Sequence, residues 1–281
     1  MSSHAYAIQK VLNNNVILGR QQEQGEVILI GKGIGFGKKT GKEYIIDEHK
    51  IEKVFLQHID HEKDDYMSMI RHMDYRIIAV GEEIIQMAKK TFQSLNAHIY
   101  VALTDHIGFT LERIKQGMVI HNPFLYEIKS LYKEEFQVGC QAKVLIKMRL
   151  GVTIPDDEVG FIALHIHSAR QNKKVKDTVK HTRLIQKMVT IVEQDIGGNI
   201  DRDKILYSRL IKHLRQCMER VDAQKSIVNP LLDDIKVKLK EAYTIALKVG
   251  SVLHEENGIH VPEDELAFMA LHIERLKESI N

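Results

Sequence analysis

The sequence predicts a multidomain α+β protein, in which a small N-terminal antiparallel β-sheet domain precedes two homologous all-α helical-bundle domains. Two observations lead to this fold class. Short β-prone runs separated by turn residues fill the first 60 positions, whereas the apolar period becomes helical from about residue 64. A stretch of twelve residues also occurs twice, at 155–166 and 262–273, with eight identical positions. The predicted domains are therefore 1–60, 64–170 and 171–281.

The N-terminal segment has the spacing of a sheet built from hairpins. Its β-rich runs alternate with turn residues, such as Asn13-Asn14-Asn15 and the glycine-rich loop at 31–42. A sheet of fewer than about 70 residues buries little apolar surface, so we expect dimerisation to stabilise this domain. The expected strands are Tyr6–Leu12, Val16–Leu18, Glu26–Ile30, Tyr44–Ile46 and Val54–Leu56.

The remainder of the chain shows helical periodicity. Pro155 and Pro262 are each followed by acidic residues, which suits the first turn of a helix because its first N–H groups have no partner and its dipole attracts carboxylates. The polar, basic segment 171–180 is the expected linker. The expected helices are Asp65–Ala79, Glu82–Ser94, Asn96–Gln116, Pro123–Met148 (with a break inside), Pro155–Arg170, Leu184–Asp195, Asp203–Asp222, Pro230–Asn257 and Pro262–Glu278.

The duplication extends over the whole helical region. A shift of 107 residues takes His106 to His213 and Asn122-Pro123 to Asn229-Pro230 without a gap. A second histidine lies inside the repeated twelve residues, so each copy carries a matched pair. The two pairs are His106 with His165 and His213 with His272.

Composition places few limits on the function. The net charge of +2 is too small to imply a partner, so only local clusters can do so. Cys140 and Cys217 form no CxxC motif, and no secretory signal precedes them, which favours a reducing, cytoplasmic compartment. No apolar run approaches the roughly 18 residues that a membrane span needs, so no membrane insertion is expected.

The glycine-rich loop concentrates four lysines without an acidic residue. It is not a P-loop, because Lys38 is followed by Lys39 rather than by Ser or Thr. An exposed Phe36 could stack on a base while the lysines neutralise phosphates, and Asn13 and Asn15 could bond base edges. A solvated basic turn, with Phe36 packed in the small core, is the alternative that composition leaves open.

Three roles compete for the paired histidines: core-edge residues, groups of a metal or acid/base enzyme site, and nucleophiles that accept phosphate on a neutral imidazole nitrogen. Helical projection puts His165 at the flank of an apolar stripe, beside Glu158, and points His167 away from it. No HExxH motif occurs, and Asp105-His106 reverses the order found in HD-type phosphohydrolases. Duplication of the pair favours phosphorylation. The stripes are Val159, Ile162, Ala163 and Ile166, and Leu266, Met269, Ala270 and Ile273.

These motifs resemble those of the BglG/SacY-type transcriptional antiterminators. KVLNNNV at 10–16 and GKGIGFGKK at 31–39 are similar to their RNA-binding domain. LTDHI at 103–107, GFIALHIH at 160–167 and RLIKHL at 209–214 are similar to their PTS regulation domains, or PRDs. The resemblance covers essentially the whole chain, and the loop and first repeat look most similar to the glucose-specific members.

The resemblance implies a non-enzymatic protein without catalytic residues, cofactor or metal. A dimer would bind a stem-loop in nascent leader mRNA, prevent the terminator from forming and promote expression of sugar, here glucose, transport genes. A PTS sugar permease (EII) and HPr would be the phosphoryl donors. The implied RNA contacts are Lys10, Asn13, Asn15, Gly31, Lys32 and Phe36, and the implied phosphorylation sites are His106, His165, His213 and His272.

An estimate of the switching energy favours several phosphorylation sites. Shifting an equilibrium from 1:99 to 99:1 requires about 5.5 kcal/mol, whereas one coupling is typically about 1–3 kcal/mol. We therefore expect the helical domains to dimerise and to respond to more than one phosphate. Asp105 precedes the first histidine where Lys212 precedes its equivalent, which suggests different donors or effects for the two copies. A PRD-type activator of DNA is the rival, but the β-like N-terminus lacks a helix-turn-helix pattern.

Overall fold

The computed structural model describes residues 3–21, 25–56, 74–198, 200–202, 204–225, 227–258 and 260–280. Within these ranges the chain forms a five-stranded antiparallel sheet followed by ten α-helices, which confirms the predicted fold class. Residues 65–73 of the first expected helix lie outside the described part of the chain. None of the described helices is long and apolar enough to cross a membrane.

All five expected strands are present. They run in the order β4-β1-β2-β3-β5, and every neighbouring pair is antiparallel. A short 3-10 helix, Glu48–Lys50, separates β4 from β5. The strands are β1 (Ser3–Asn13), β2 (Val16–Gln21), β3 (Gly25–Ile30), β4 (Glu43–Asp47) and β5 (Lys53–Leu56).

The helices follow the predicted series with shifted boundaries. Short helices and long ones meet at Tyr132 and again at Leu239, so the two longest predicted segments are each divided in two. The helices are α1 (Tyr75–Phe92), α2 (Ile99–Lys115), α3 (Leu125–Leu131), α4 (Lys133–Leu150), α5 (Asp156–Arg170), α6 (Val175–Ile196), α7 (Ile205–Asp222), α8 (Leu232–Lys238), α9 (Lys240–Asn257) and α10 (Glu263–Glu278).

Two predicted boundaries are wrong. Helix α1 continues through Gly81, where the sequence suggested a break, because the glycine lets α1 approach α2 closely: an added Cβ would lie 2.7 Å from Thr104 Oγ1. Helix α6 begins at Val175, so the predicted linker 171–180 is reduced to 171–174. Burial of Thr178 and Thr182 holds the extra turns in place.

Both faces of the sheet are covered within one chain. Ile17, Val27 and Leu29 pack inside the sheet domain, together with Tyr6 and Ile8. The alternate residues on the opposite face join a core formed with helices α1, α2, α4 and α5. The helices thus provide the apolar cover for which the small sheet was expected to need a second copy. The sheet residues in that core are Val16, Leu18, Ile28 and Ile30.

The chain divides into two compact units whose borders differ from those of the sequence repeat. The first contains Met1–His121 and Glu134–Val175, and the second contains Asn122–Lys133 and Lys176–Asn281. Helix α3, which the repeat assigns to the first copy, therefore belongs to the second unit. There the hydroxyl of Tyr207 on α7 donates to Glu127 on α3, with an oxygen–oxygen distance of 2.8 Å.

Gly31 lies where the chain cannot accept a side chain. An added Cβ would be 1.8 Å from the carbonyl oxygen of Lys50, so backbone has to move if the residue is enlarged. We expect Gly31→Ala to lower the free energy of unfolding by about 1–3 kcal/mol, the usual cost of overpacking. Urea unfolding followed by circular dichroism measures this, with the exposed Lys32→Ala as control. An unchanged midpoint in Gly31→Ala would show that the loop tolerates the side chain.

Candidate functional site

The glycine-rich loop is a series of tight turns that sorts its two large apolar side chains. The Ile34 N–H donates to the Gly31 carbonyl, at 3.1 Å, and the Phe36 N–H donates to the Gly33 carbonyl, at 3.0 Å. Gly33 and Gly37 adopt positive φ angles of 69° and 67°. As a result Ile34 is buried, whereas Phe36 is 76% exposed. The alternative in which Phe36 packs in the core is wrong, because Ile34 fills that position.

The basic residues surround this exposed ring on the accessible side of the loop. Lys10 on β1 and Lys32 and Lys39 in the loop are exposed, and the Lys38 Nζ lies 4.6 Å from the centroid of the Tyr44 ring. Gly31 is buried and can present no more than its backbone. The loop therefore offers an aromatic face and several cations in one place, which is the chemistry of a single-stranded nucleic-acid contact.

Asn13 and Asn15 are engaged within the protein. The Asn13 Oδ1 accepts the Asn15 N–H at 2.8 Å, and the Asn15 Oδ1 accepts the Gly33 N–H at 2.8 Å. The amide groups of both side chains donate to Glu82 on helix α1, and Asn13 also donates to the Ala79 carbonyl. The structure thus places the two asparagines beneath the loop, while the predicted contacts Lys10, Lys32 and Phe36 are exposed.

The first histidine pair lies between helices α2 and α5. The rings of His106 and His165 have centroids 4.9 Å apart and are inclined by 31°. The His106 Nε2 is 3.2 Å from Glu158 Oε2, and the Phe161 ring meets His106 edge-on at 5.8 Å. Glu158, which helical projection placed beside His165, contacts His106 instead. The apolar stripe of α5 is buried as predicted.

Glu158 is a buried carboxylate held by three donors. Besides its contact with His106, it accepts from Thr110 Oγ1 at 2.8 Å and from the Arg113 guanidinium at 2.8 Å. Burial alone would raise the pKa of Glu158, but the hydrogen bonds from His106 and Thr110 and the charges around it lower the pKa to about 2. The carboxylate is therefore ionised at neutral pH and fixes the orientation of His106.

The second pair repeats this arrangement with one difference. The rings of His213 and His272 are 4.9 Å apart and inclined by 33°. Glu265 is buried and bound in a bidentate fashion by Arg220, whose Nε and terminal nitrogen lie 2.5 and 2.8 Å from its oxygens. The His213 Nε2 is 3.8 Å from Glu265 Oε2, beyond hydrogen-bond distance. Cys217 stands where the first site has Thr110.

The histidines are held in their neutral form. Burial, with the charge of His106 second, lowers the pKa of His165 to about 3, and burial together with His272 lowers the pKa of His213 to about 4. Burial also lowers the pKa of His272. A neutral imidazole has a lone pair on one nitrogen and can therefore act as a nucleophile. His213 is only 9% exposed, so a donor protein needs local opening to reach it.

The residues that precede the paired histidines differ in charge between the copies. Burial raises the pKa of Asp105, whereas Lys212 at the equivalent position is exposed. Sequence reasoning identified this difference but assigned no partner to Arg113 and Arg220, which bind the two buried glutamates. Their shared offset of 107 residues was the available signal. Among the described residues no group of three or more His, Cys, Asp or Glu side chains is placed to hold a metal ion.

Comparison with known proteins finds two domain families in this chain. The PRD domain matches residues 81–169 and 186–276. The CAT RNA binding domain matches residues 6–64. The second PRD match begins 105 residues after the first, as 186 minus 81, in agreement with the repeat seen in the sequence.

Similarity to individual proteins extends over nearly the full length. The chain is 35% identical over 273 residues to the transcription antiterminator LicT of Bacillus subtilis, covering 96% of this chain and 98% of LicT. It is 35% identical over 280 residues to the protein GlcT of Staphylococcus haemolyticus, with 98% of each covered. It is 36% identical over 276 residues to the GlcA/glcB genes antiterminator of Staphylococcus carnosus, covering 95% and 94%. A crystal structure of GlcT CAT-PRDI matches with a TM-score of 0.42 and 40% identity, over 59% of this chain and 98% of that one.

Proposed function

Because this chain belongs to the family of transcription antiterminators that join a CAT RNA-binding domain to two PRD domains, we propose that it binds a stem-loop in nascent leader mRNA and keeps the terminator from forming. The resemblance drawn from the sequence is confirmed by the matches over nearly the whole chain. Membership also accounts for a regulatory protein in which the repeated domains receive a signal and the sheet binds RNA.

The observation that carries this proposal is the exposed Phe36 among lysines. A phenyl ring that is 76% exposed costs solvation free energy unless it serves a contact, and here it projects from a loop whose charges suit phosphates. The ring would stack on an unpaired base of the bulged stem, while Lys10 and Lys32 neutralise the backbone on either side. Stacking does not distinguish bases strongly, so sequence selectivity has to come from additional contacts to base edges.

The paired histidines supply the regulatory input. The described geometry suits an acceptor role because the rings are neutral and an ionised carboxylate orients one of them in the first copy. A phosphoryl group on His106 would bring about −1.5 to −2 charges next to Glu158. The two anions repel, and Arg113, which now binds Glu158, becomes available to the phosphate. Phosphorylation would thus exchange partners at the α2–α5 contact.

The remaining parts of the proposal follow family membership. The phosphoryl donors would be a PTS sugar permease (EII) and HPr, and the controlled genes would be those of sugar transport, with glucose favoured by the relatives named GlcT. The protein would act in the cytoplasm as a homodimer. We propose phosphorylation at His106, His165, His213 and His272, with different effects in the two copies because of the unlike charges at Asp105 and Lys212.

A binding assay tests the RNA-contacting surface. The full chain should bind a bulged RNA stem-loop more tightly than a DNA duplex of equal length at the same ionic strength. Phe36→Ala should weaken RNA binding by about 1–3 kcal/mol, or roughly 5- to 150-fold, since one stacked base is lost. Fluorescence anisotropy gives both affinities. Ile45→Ala is the matched control, because Ile45 is an equally exposed apolar residue of β4, at 73%.

Two results would count against the proposal. A preference for the DNA duplex would favour the rival in which the protein is a PRD-type activator of DNA. Equal losses in the Phe36 and Ile45 variants would mean that the loop has no special contact with RNA. The slope of log affinity against log salt gives a further check, because each lysine that contacts a phosphate contributes to it.

A further inference from the structure

We propose that Glu82 on helix α1 closes the RNA-binding hairpin by occupying the amide groups of Asn13 and Asn15, and that α1 connects this closure to His106. The inference rests on the proposed RNA-binding function and adds to it an internal competitor for RNA. It assigns a role to a buried carboxylate that lies between the sheet and the first repeat.

Glu82 binds both asparagines through separate oxygens. The Asn15 Nδ2 donates to Glu82 Oε1 at 2.9 Å, and the Asn13 Nδ2 donates to Glu82 Oε2 at 3.3 Å and to the Ala79 carbonyl at 3.2 Å. The two Oδ1 atoms accept backbone N–H groups of the hairpin and loop. Every polar side-chain atom of the two asparagines therefore has a partner on this chain.

A carboxylate in this position excludes RNA for two reasons. Its two acceptor oxygens occupy the donors that phosphate oxygens or base carbonyls would otherwise accept from. Its negative charge also repels the phosphate backbone. Glu82 is 1% exposed, so RNA cannot reach the asparagine amides while α1 remains packed on the sheet. Binding of RNA through these amides and packing of α1 are mutually exclusive.

The closed arrangement has a second contact on the same helix. Lys89 and the hydroxyl of Tyr100 both bond Glu52 beside strand β5, the latter with an oxygen–oxygen distance of 2.6 Å. Burial would raise the pKa of Glu82, and hydrogen bonds from Asn15 and Gln86 oppose that effect. A buried carboxylate is costly when its donors leave, so the sheet and α1 should separate as one step rather than gradually.

Helix α1 is packed directly against the helix that carries His106. Gly81, next to Glu82, approaches Thr104 on α2 so closely that a Cβ would lie 2.7 Å from its hydroxyl oxygen. Thr104 precedes His106 by two residues. A shift of α2 upon phosphorylation of His106 therefore displaces the backbone beside Glu82. We expect phosphorylation to favour the closed arrangement and so to lower RNA affinity.

The test measures the affinity of the full chain for a bulged RNA stem-loop by fluorescence anisotropy. Glu82→Gln keeps the size of the side chain but replaces one acceptor oxygen by a donor, so it cannot hold both amides. It should bind RNA about 5- to 150-fold more tightly, the usual span of one coupling. Glu83→Gln removes the same charge one residue along, where the side chain pairs with Arg149, and should change little.

A second variant separates closure from simple charge. Lys89→Met removes a cation from the protein, which by electrostatics alone weakens RNA binding, yet it should strengthen binding because it releases α1 from Glu52. Thermal melting confirms that both variants are folded, and Lys89→Met decides the question if Glu82→Gln is not. If wild type binds RNA and neither variant binds more tightly, closure by Glu82 is refuted while the proposed function stands.

The link to His106 is tested by a double-mutant cycle. His106→Asp, which mimics a negative charge, should lower RNA affinity in the wild-type background and have little effect beside Glu82→Gln. Equal losses in both backgrounds would refute the link. RNA binding by Glu82→Gln alone, with none by wild type, would support closure strongly. Absence of RNA binding by every protein would refute the proposed function and this inference with it.

Discussion

His106→Ala should make RNA binding insensitive to permease-dependent phosphorylation, whereas the wild-type chain should lose most of its RNA affinity when it is phosphorylated. The reason is that His106 combines three properties: a ring next to His165, contact with the ionised Glu158 at 3.2 Å, and a position two residues from Thr104 on the face packed against α1. Without the imidazole there is no acceptor at that position, and no new charge forms beside Glu158. His165→Ala should have the same effect if both rings of the pair are required.

This result is measured as RNA affinity before and after treatment with a phosphorylated sugar permease domain. His121→Ala is the control, because the His121 side chain is 88% exposed and belongs to neither pair. A His106→Ala chain that is still switched off normally would show that the signal enters elsewhere. His213→Ala and His272→Ala, tested in parallel, would show whether the second copy has the opposite effect that its Lys212 suggests.

Arg220→Ala should destabilise the second repeat strongly. Glu265 is 1% exposed and both of its oxygens are bound by Arg220, so the variant leaves a buried carboxylate without its principal donor. Removing one partner of a buried pair costs about 3–5 kcal/mol, and we expect about 3 kcal/mol. The lower value applies because the Arg220 side chain is 25% exposed and water can partly replace it. Denaturant unfolding measures the change.

The first repeat provides the comparison. Arg113→Ala should cost less than Arg220→Ala, because Glu158 keeps its contacts with Thr110 and His106. Adding Glu265→Gln to Arg220→Ala should restore part of the lost stability, since the uncompensated charge is then absent. An exposed control, Arg209→Ala, should be nearly neutral. Equal losses at Arg113 and Arg220, or no recovery in the double variant, would mean that the carboxylate is solvated rather than dependent on arginine.

Local patterns predicted most of the fold. Alternation of apolar residues located all five strands, and the proline–acid starts placed helices α5 and α10 to within a residue. The offset of 107 residues was enough to pair the histidines correctly before any contact was known. These features depend on nearby residues or on strict repetition, so a single sequence carries them.

Features that depend on contacts between distant segments were not predictable. Gly81 appeared to end a helix, because the sequence cannot show that Thr104 lies against it. Asn13 and Asn15 looked like free RNA contacts, since their acceptor Glu82 is nearly seventy positions away. The choice between Ile34 and Phe36 for the core depended on turn geometry, which composition does not determine.

The position of helix α3 affects how the protein can be divided into parts. The carboxylate of Glu127 is fully buried against Tyr207 and lies 3.9 Å from Arg202, and the Leu131 carbonyl accepts from Arg215, all within the second unit. A chain that ends at Arg170, where the repeat suggests a cut, retains α3 but removes all three partners. The smallest fragment that keeps this carboxylate covered must extend through α7. In this protein, genetic modularity and structural modularity have different borders.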